Sequence, residues 1–214
     1  MNAANKNHLK KELLKTIRHH KNEIMSHASP DAVASPDATM PGLFFITDTF
    51  IPLANSSRKE PFFRQKQSYR IDDPTKLLES ANQNHGLFYK HILNQTVPSN
   101  HFPQRKKHYP IALTFFDFAG TKQHQPHFHT IPHAHSFFIV SPKTLPRFKS
   151  LIEDGFRLRP ETPKTQNIMT TDCREMSWDW KEIAKTVDYA AKAYLNHTNH
   201  LPKEIRSLFF TMNG

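Results

Sequence analysis

Two runs of strand-forming residues stand next to each other in this chain with no helical pattern between them. Ile111-Ala112-Leu113-Thr114-Phe115-Phe116-Asp117-Phe118-Ala119 and Ile131-Pro132-His133-Ala134-His135-Ser136-Phe137-Phe138-Ile139-Val140 are rich in aromatic and β-branched residues. The stretch from Gly120 to Thr130 that joins them carries a glycine and three histidines. Such neighbours pair as an extended hairpin, and that disfavours a doubly wound parallel sheet, whose successive strands need a crossover between them.

Around this hairpin the pattern alternates. Leu43-Phe44-Phe45-Ile46-Thr47-Asp48-Thr49-Phe50 is too short and too β-prone for a helix and reads as the first core strand. Asp73 before Pro74 is a helix start, and Leu78, Ala81, His85, Phe88 and Ile92 then recur at helical spacing until Val97-Pro98. After the hairpin, Leu145 to Phe156 gives a helix with Phe148, Leu151 and Ile152 on one side. Asn167-Ile168-Met169-Thr170-Thr171 gives a fourth strand, and residues 179–196 a further helix. The order β-α-β-β-α-β-α predicts an α+β fold: an antiparallel sheet carrying helices in the split β-α-β manner of ferredoxin-like and RNA-recognition-like folds.

Before the first strand, residues 8–25 set Leu9, Leu13, Ile17 and Ile24 among Lys10, Lys11, Lys15, Arg18 and Lys21, a basic amphipathic helix. Lying on DNA and packing on the domain are both open to it. The near-repeat of Ser-Pro-Asp-Ala from Ser29 to Ala38 reads as a linker, so residues 1–42 form a helical arm and linker ahead of a single domain over 43–200, with 201–214 as a tail.

The chain of 214 residues has a formal net charge of +10, which favours polyanions through counterion release, nucleic acid first and anionic membrane surface second. Within residues 51–72, Arg58, Arg64, Lys66 and Arg70 interleave with Phe62, Phe63 and Tyr69. That loop either grips phosphates while its rings stack on bases or is simply pinned by its aromatics. The single Cys173 excludes a disulfide framework and fits a reducing, cytoplasmic setting. No run approaches the roughly 18 apolar residues of a membrane span, and Lys15, Arg18 and His19 interrupt any signal-peptide pattern.

The chemistry is concentrated in two places. His133 and His135, two residues apart on a strand, point to one sheet face, and paired imidazoles are half of a site for a divalent metal. The other reading is a pair of hydrogen-bonding strand-end residues, since a chain with 15 histidines contains such pairs by chance. Pairing Ala119 with Ile131 sets Asp117 opposite His133 as the first choice of third ligand, with His129 its main competitor. On the last helix, Ile183, Val187, Ala190, Ala191 and Tyr194 form the apolar stripe, whereas Tyr189 lies off it with Lys185 and Lys192. Cations beside a phenol favour the phenolate and neutralise a phosphoryl group.

His133-Ala134-His135 on an apolar strand, followed by Tyr189-Ala190-Ala191-Lys192 on a helix, resembles the HUH endonuclease superfamily in its single-tyrosine replication-initiator branch. Phe45-Ile46-Thr47-Asp48-Thr49-Phe50 is loosely similar to that branch's first-strand motif, and the likeness covers roughly residues 43–196. It departs from the family in offering Asp117 where a glutamate is common, and in the length of the hairpin loop. The resemblance implies a nuclease domain that nicks and rejoins single-stranded or melted DNA. Mg²⁺ or Mn²⁺ would sit on His133, His135 and Asp117, Tyr189 would be the nucleophile leaving a 5′-phosphotyrosine, and Lys192 would neutralise the phosphate. Unwinding would come from a separate helicase. A transposase or relaxase of the same chemistry, a non-catalytic nucleic-acid-binding module and a cupin-like metalloenzyme are the alternatives.

Overall fold

The computed structural model describes residues 3–26, 40–50, 74–97, 105–117, 133–157, 168–191 and 210–212. Its centre is a sheet built from β1 (Gly42–Phe50), β2 (Ile111–Asp117), β3 (His133–Val140), β4 (Ile168–Met176) and β5 (Phe210–Met212). The strand order is β4-β1-β3-β2-β5 and every pairing is antiparallel. The helices are α1 (Ala3–Ser26), α2 (Pro74–Thr96), α3 (Leu145–Glu153) and α4 (Trp180–Ala190). The chain is therefore α+β. The expected hairpin of β2 and β3 is present, and β1 and β4 assemble around it so that β1 and β2 flank β3.

Alternation along the strands gives the sheet two apolar faces. Phe44 and Ile46 of β1, Ala112 of β2, and Phe138 and Val140 of β3 pack with Phe88, Tyr89 and Ile92 of α2 and Phe148 and Leu151 of α3. The intervening residues, Leu43, Phe45, Leu113, Phe115, Phe137 and Ile139, meet α1 and α4 on the other side. A strand covered on both faces reads as a near-continuous apolar run, which is why β3 is buried at every position after His133.

The first helix packs on the domain. Leu13, Ile17 and Ile24 lie in the same core as Ile183, Val187, Ala190 and Ala191 of α4. Burying such side chains is worth about 1.5–3 kcal/mol each, whereas the Lys10–Asp188 ion pair between the two helices is part-exposed and contributes at most about 1 kcal/mol. The apolar stripe, then, holds α1. The two helices run antiparallel, with Lys10 at Asp188, Arg18 over the Trp180 ring at 4.7 Å and Lys21 over the Trp178 ring at 4.7 Å.

Several elements differ from the sequence reading: α1 begins at Ala3, ahead of residue 8, and α4 ends at Ala190, short of residue 196. The helix expected over Leu145–Phe156 ends at Glu153, and the chain turns through Gly155 (φ 60°) and Phe156 (φ 57°). Left-handed backbone at a bulky residue costs roughly 1–3 kcal/mol. The turn drops the Phe156 ring into the core, 5.4 Å from Phe88 and 6.5 Å from Phe148, and its carbonyl accepts from His91 Nε2 at 2.6 Å. Burial of that ring is of the same size as the strain. The fourth strand runs to Met176, well beyond Thr171, and residues 210–212 of the tail add an edge strand in which Leu113 pairs with Thr211.

α4 starts at Asp179, whose side chain accepts from the Lys181 backbone N–H at 2.9 Å. Asp179→Ala removes this cap and should lower unfolding free energy by about 1 kcal/mol, read from urea melts of the two proteins. An unchanged midpoint would mean that the first turn of α4 is held by the Trp178 and Trp180 contacts instead.

Candidate metal centre and tyrosine

His133 and His135 project from β3 onto the face covered by α1 and α4, at the end of the sheet reached by the last turn of α4. Their rings lie 4.8 Å apart. His135 is buried and His133 half-buried. Across the sheet, β1 places Thr47 opposite His135 and Thr49 opposite His133. The Thr47 hydroxyl lies 3.0 Å from His135 Nδ1, and the Phe45 ring stacks on the imidazole at 5.7 Å. An imidazole fixed through one nitrogen by an outer partner has the orientation control that metal-bound histidines require.

Tyr189 reaches this pair from α4. Its ring centroid is 5.0 Å from that of His135 and 6.2 Å from that of Phe45, and 45% of the residue is exposed. The sequence set Tyr189 off the apolar stripe, and the structure has Ile183, Val187, Ala190 and Ala191 buried while Lys185 and Tyr189 are exposed. The resulting arrangement sets a part-exposed phenol against an imidazole and the Phe45 ring.

On the other flank, β2 pairs Asp117 with His133 and Phe115 with His135, the register expected by counting from the hairpin. The side chain of Asp117 lies outside the described residues. So do Lys192, His129, Tyr194 and the loop residues Arg58, Arg64, Lys66 and Arg70. Of the sequence-selected residues, the described structure therefore brings His133, His135 and Tyr189 together, puts Asp117 at the matching register position, and leaves Lys185 exposed four residues before the tyrosine.

Two further groups stand out. His19, His20 and Glu23 of α1 bring donor atoms within 4.8 Å of one another. They lie toward the Trp178–Trp180 end of α4, away from Tyr189. The second is a polar group on the opposite face of the sheet, directly behind the histidine pair. Asp48 and His85 are both fully buried, with His85 Nδ1 3.4 Å from Asp48 Oδ2. His85 Nε2 lies 2.8 Å from Thr114 Oγ1, Thr114 Oγ1 is 3.0 Å from Ser136 Oγ, and Thr171 donates to Asp48 Oδ1 at 3.0 Å. Burial pushes the Asp48 carboxyl above the usual carboxylate range, against the opposing pull of His85 and Thr171.

The sequence contained a signal for this group: a carboxylate inside an apolar strand and a histidine on the apolar stripe of a helix. Cys173, beside it on β4, has its thiol pushed up to about 12, chiefly by burial and then by Asp48, which fits a packing role and not a nucleophile. Among the described residues no helix is long and apolar enough to cross a membrane. Compared with known proteins, the chain matches no family model, no curated protein and no solved structure.

Proposed function

We propose that this protein is a metal-dependent DNA nicking and joining enzyme of the HUH type, acting on single-stranded or melted DNA as in rolling-circle replication initiation. The observation that carries the reading is the meeting of Tyr189 with the His133–His135 pair, which come from distant parts of the sequence. The split β-α-β order of the sheet supports it, because that order brings β3 to the centre and α4 over its end. A pair of adjacent imidazoles, one oriented by a hydroxyl, suits a divalent ion. Held by His133, His135 and Asp117, Mg²⁺ or Mn²⁺ supplies Lewis-acid polarisation of the phosphoryl group.

The chain's own residues supply the nucleophile. Tyr189 Oη attacks phosphorus as its proton leaves, the P–O3′ bond breaks, and the 3′ oxygen takes up a proton. The products are a 5′-phosphotyrosine and a free 3′-hydroxyl. One phosphodiester is exchanged for another, so the 3′ end primes synthesis and a later attack by a 3′-hydroxyl reseals the strand. His135 and Phe45 limit the swing of the phenol, and Lys185 and Lys192 offset phosphate charge. Arg58, Arg64, Lys66 and Arg70 hold the strand, and a separate helicase opens the duplex.

The test is incubation of the full chain with a pool of single-stranded oligonucleotides and Mn²⁺, followed by a denaturing gel. The expected result is a protein–DNA adduct that survives denaturation and disappears with chelator. DNA binding with no adduct, unaffected by chelator, would favour a non-catalytic binding module. An adduct formed only across dimers would move the reading toward a single-tyrosine transposase.

A further inference from the structure

The face of the sheet toward α2 and α3 is apolar along most of its length, with Phe44, Ile46, Ala112, Phe138 and Val140 filling it. At one end it turns polar. Asp48 of β1, Thr114 of β2, Ser136 of β3 and Thr171 of β4 converge with His85 of α2, so one polar group ties four strands and a helix, its halves joined by the 3.4 Å contact between His85 Nδ1 and Asp48 Oδ2. One donor assignment runs through it: Ser136 to Thr114, Thr114 to His85 Nε2, His85 Nδ1–H toward Asp48, and Thr171 to the other oxygen of Asp48. Placing two ionisable groups at zero exposure costs several kcal/mol per ion before pairing. Apolar side chains would fill the same space at lower cost, as they do along the rest of this face.

Its position supplies a reason. Asp48 sits on β1 between Thr47, which bonds His135, and Thr49, the partner of His133. Ser136 follows His135 directly, and Thr114 precedes Phe115, the partner of His135 on β2. Neighbouring residues of a strand point to opposite faces, so what is pinned on one side of the pleat fixes the other side. A one-residue slip of β1 would carry Asp48 to the histidine face, and a slip of β3 would carry the histidines into the α2 core. The polar group closes in one register only.

We infer that Asp48 and His85 are positioning residues for the His133–His135 pair, their buried network locking strand register and pleat behind those two imidazoles. This rests on the metal reading above for its purpose but not for its test. Full-length Asp48→Leu/His85→Leu is compared with Asp48→Asn and wild type in urea melts, in Mn²⁺ titration, and in metal-free ¹H–¹⁵N spectra of the histidine rings. Replacing a buried pair by apolar groups is often neutral or stabilising, so the double variant should keep its midpoint. Its Mn²⁺ affinity should nonetheless fall roughly tenfold or more, and its His135 ring signals should lose the signature of the Thr47 bond. Asp48→Asn, which still accepts from Thr171, should keep both.

A folded double variant with unchanged Mn²⁺ affinity and unchanged His135 signals would overturn the inference, leaving the network a packing feature. A wild type that binds no Mn²⁺ sinks the metal reading instead. The ring spectra then decide this one alone: altered His135 signals support it and unaltered signals refute it. If the double variant does not fold, His85→Gln takes its place under the same two outcomes, since it keeps a group for Thr114 and withdraws from Asp48.

Discussion

Tyr189→Phe should form at least about a thousandfold less covalent DNA adduct than wild type, because it deletes the atom that bonds to phosphorus in the proposed reaction. The ring itself stays. It keeps its contacts with His135 and Phe45, and the lost hydroxyl belongs to a residue 45% exposed, so the urea midpoint should move little. Separation of the two readouts is the informative part. Equal adduct in the variant would place the nucleophile elsewhere, with Tyr194, the next tyrosine along the chain, the first to try. Loss of adduct together with a large fall in stability would say that the phenol is structural. Lys185→Ala should act more weakly, since it alters charge near the phosphate and leaves the bond-forming group in place.

His85→Ala should cost about 3–5 kcal/mol of unfolding free energy, the penalty for breaking a buried pair by removing one partner. The deletion leaves the Asp48 carboxyl at zero exposure facing a cavity, and takes from Thr114 the ring nitrogen 2.8 Å away. Urea melts at neutral pH measure it, and a loss under about 1 kcal/mol would mean that water or a side-chain shift heals the site. The titration of Asp48 adds a pH signature. Its folded carboxyl lies above its unfolded value, so its contribution to stability is complete below the unfolded value and is lost as pH rises through the folded one. Asp48→Asn has no such dependence. The stability of wild type relative to Asp48→Asn should therefore be greatest in acid and decline as pH rises, and the opposite trend would mean that pairing with His85 outweighs burial.

The hairpin was legible because Ile111–Asp117 and His133–Val140 are apolar on both faces, a pattern that depends on no partner. Counting from it placed Asp117 opposite His133, and the register agrees. The split order followed from helices lying on either side of the hairpin. The end of β4 was not legible: Asp172, Arg174 and Glu175 are exposed residues on an edge strand, where one-sided pairing removes the apolar alternation that marks interior strands. β5 is three residues long and exists only because β2 offers an open edge. At the site, helical spacing was enough to set Tyr189 apart from its buried neighbours. Nothing in the spacing could show that His85 of α2 meets Asp48 of β1, because that contact is made by the packing of α2 on the sheet.

The antiparallel pairing of α1 with α4 has a consequence for how the chain is made. Lys10 and Asp188 are 178 residues apart, and the apolar stripe of α1 rests on a surface shared by the sheet and α4. α1 thus leaves the ribosome well before the helix it packs on, and is among the later elements to find its place. Until α4 has been synthesised, Leu13, Ile17 and Ile24 lack part of the surface that covers them. The loop-closure entropy of that separation is met only when the two helices meet. Docking of α1 is a completion step in folding, the moment at which one exposed apolar face of the growing protein is sealed.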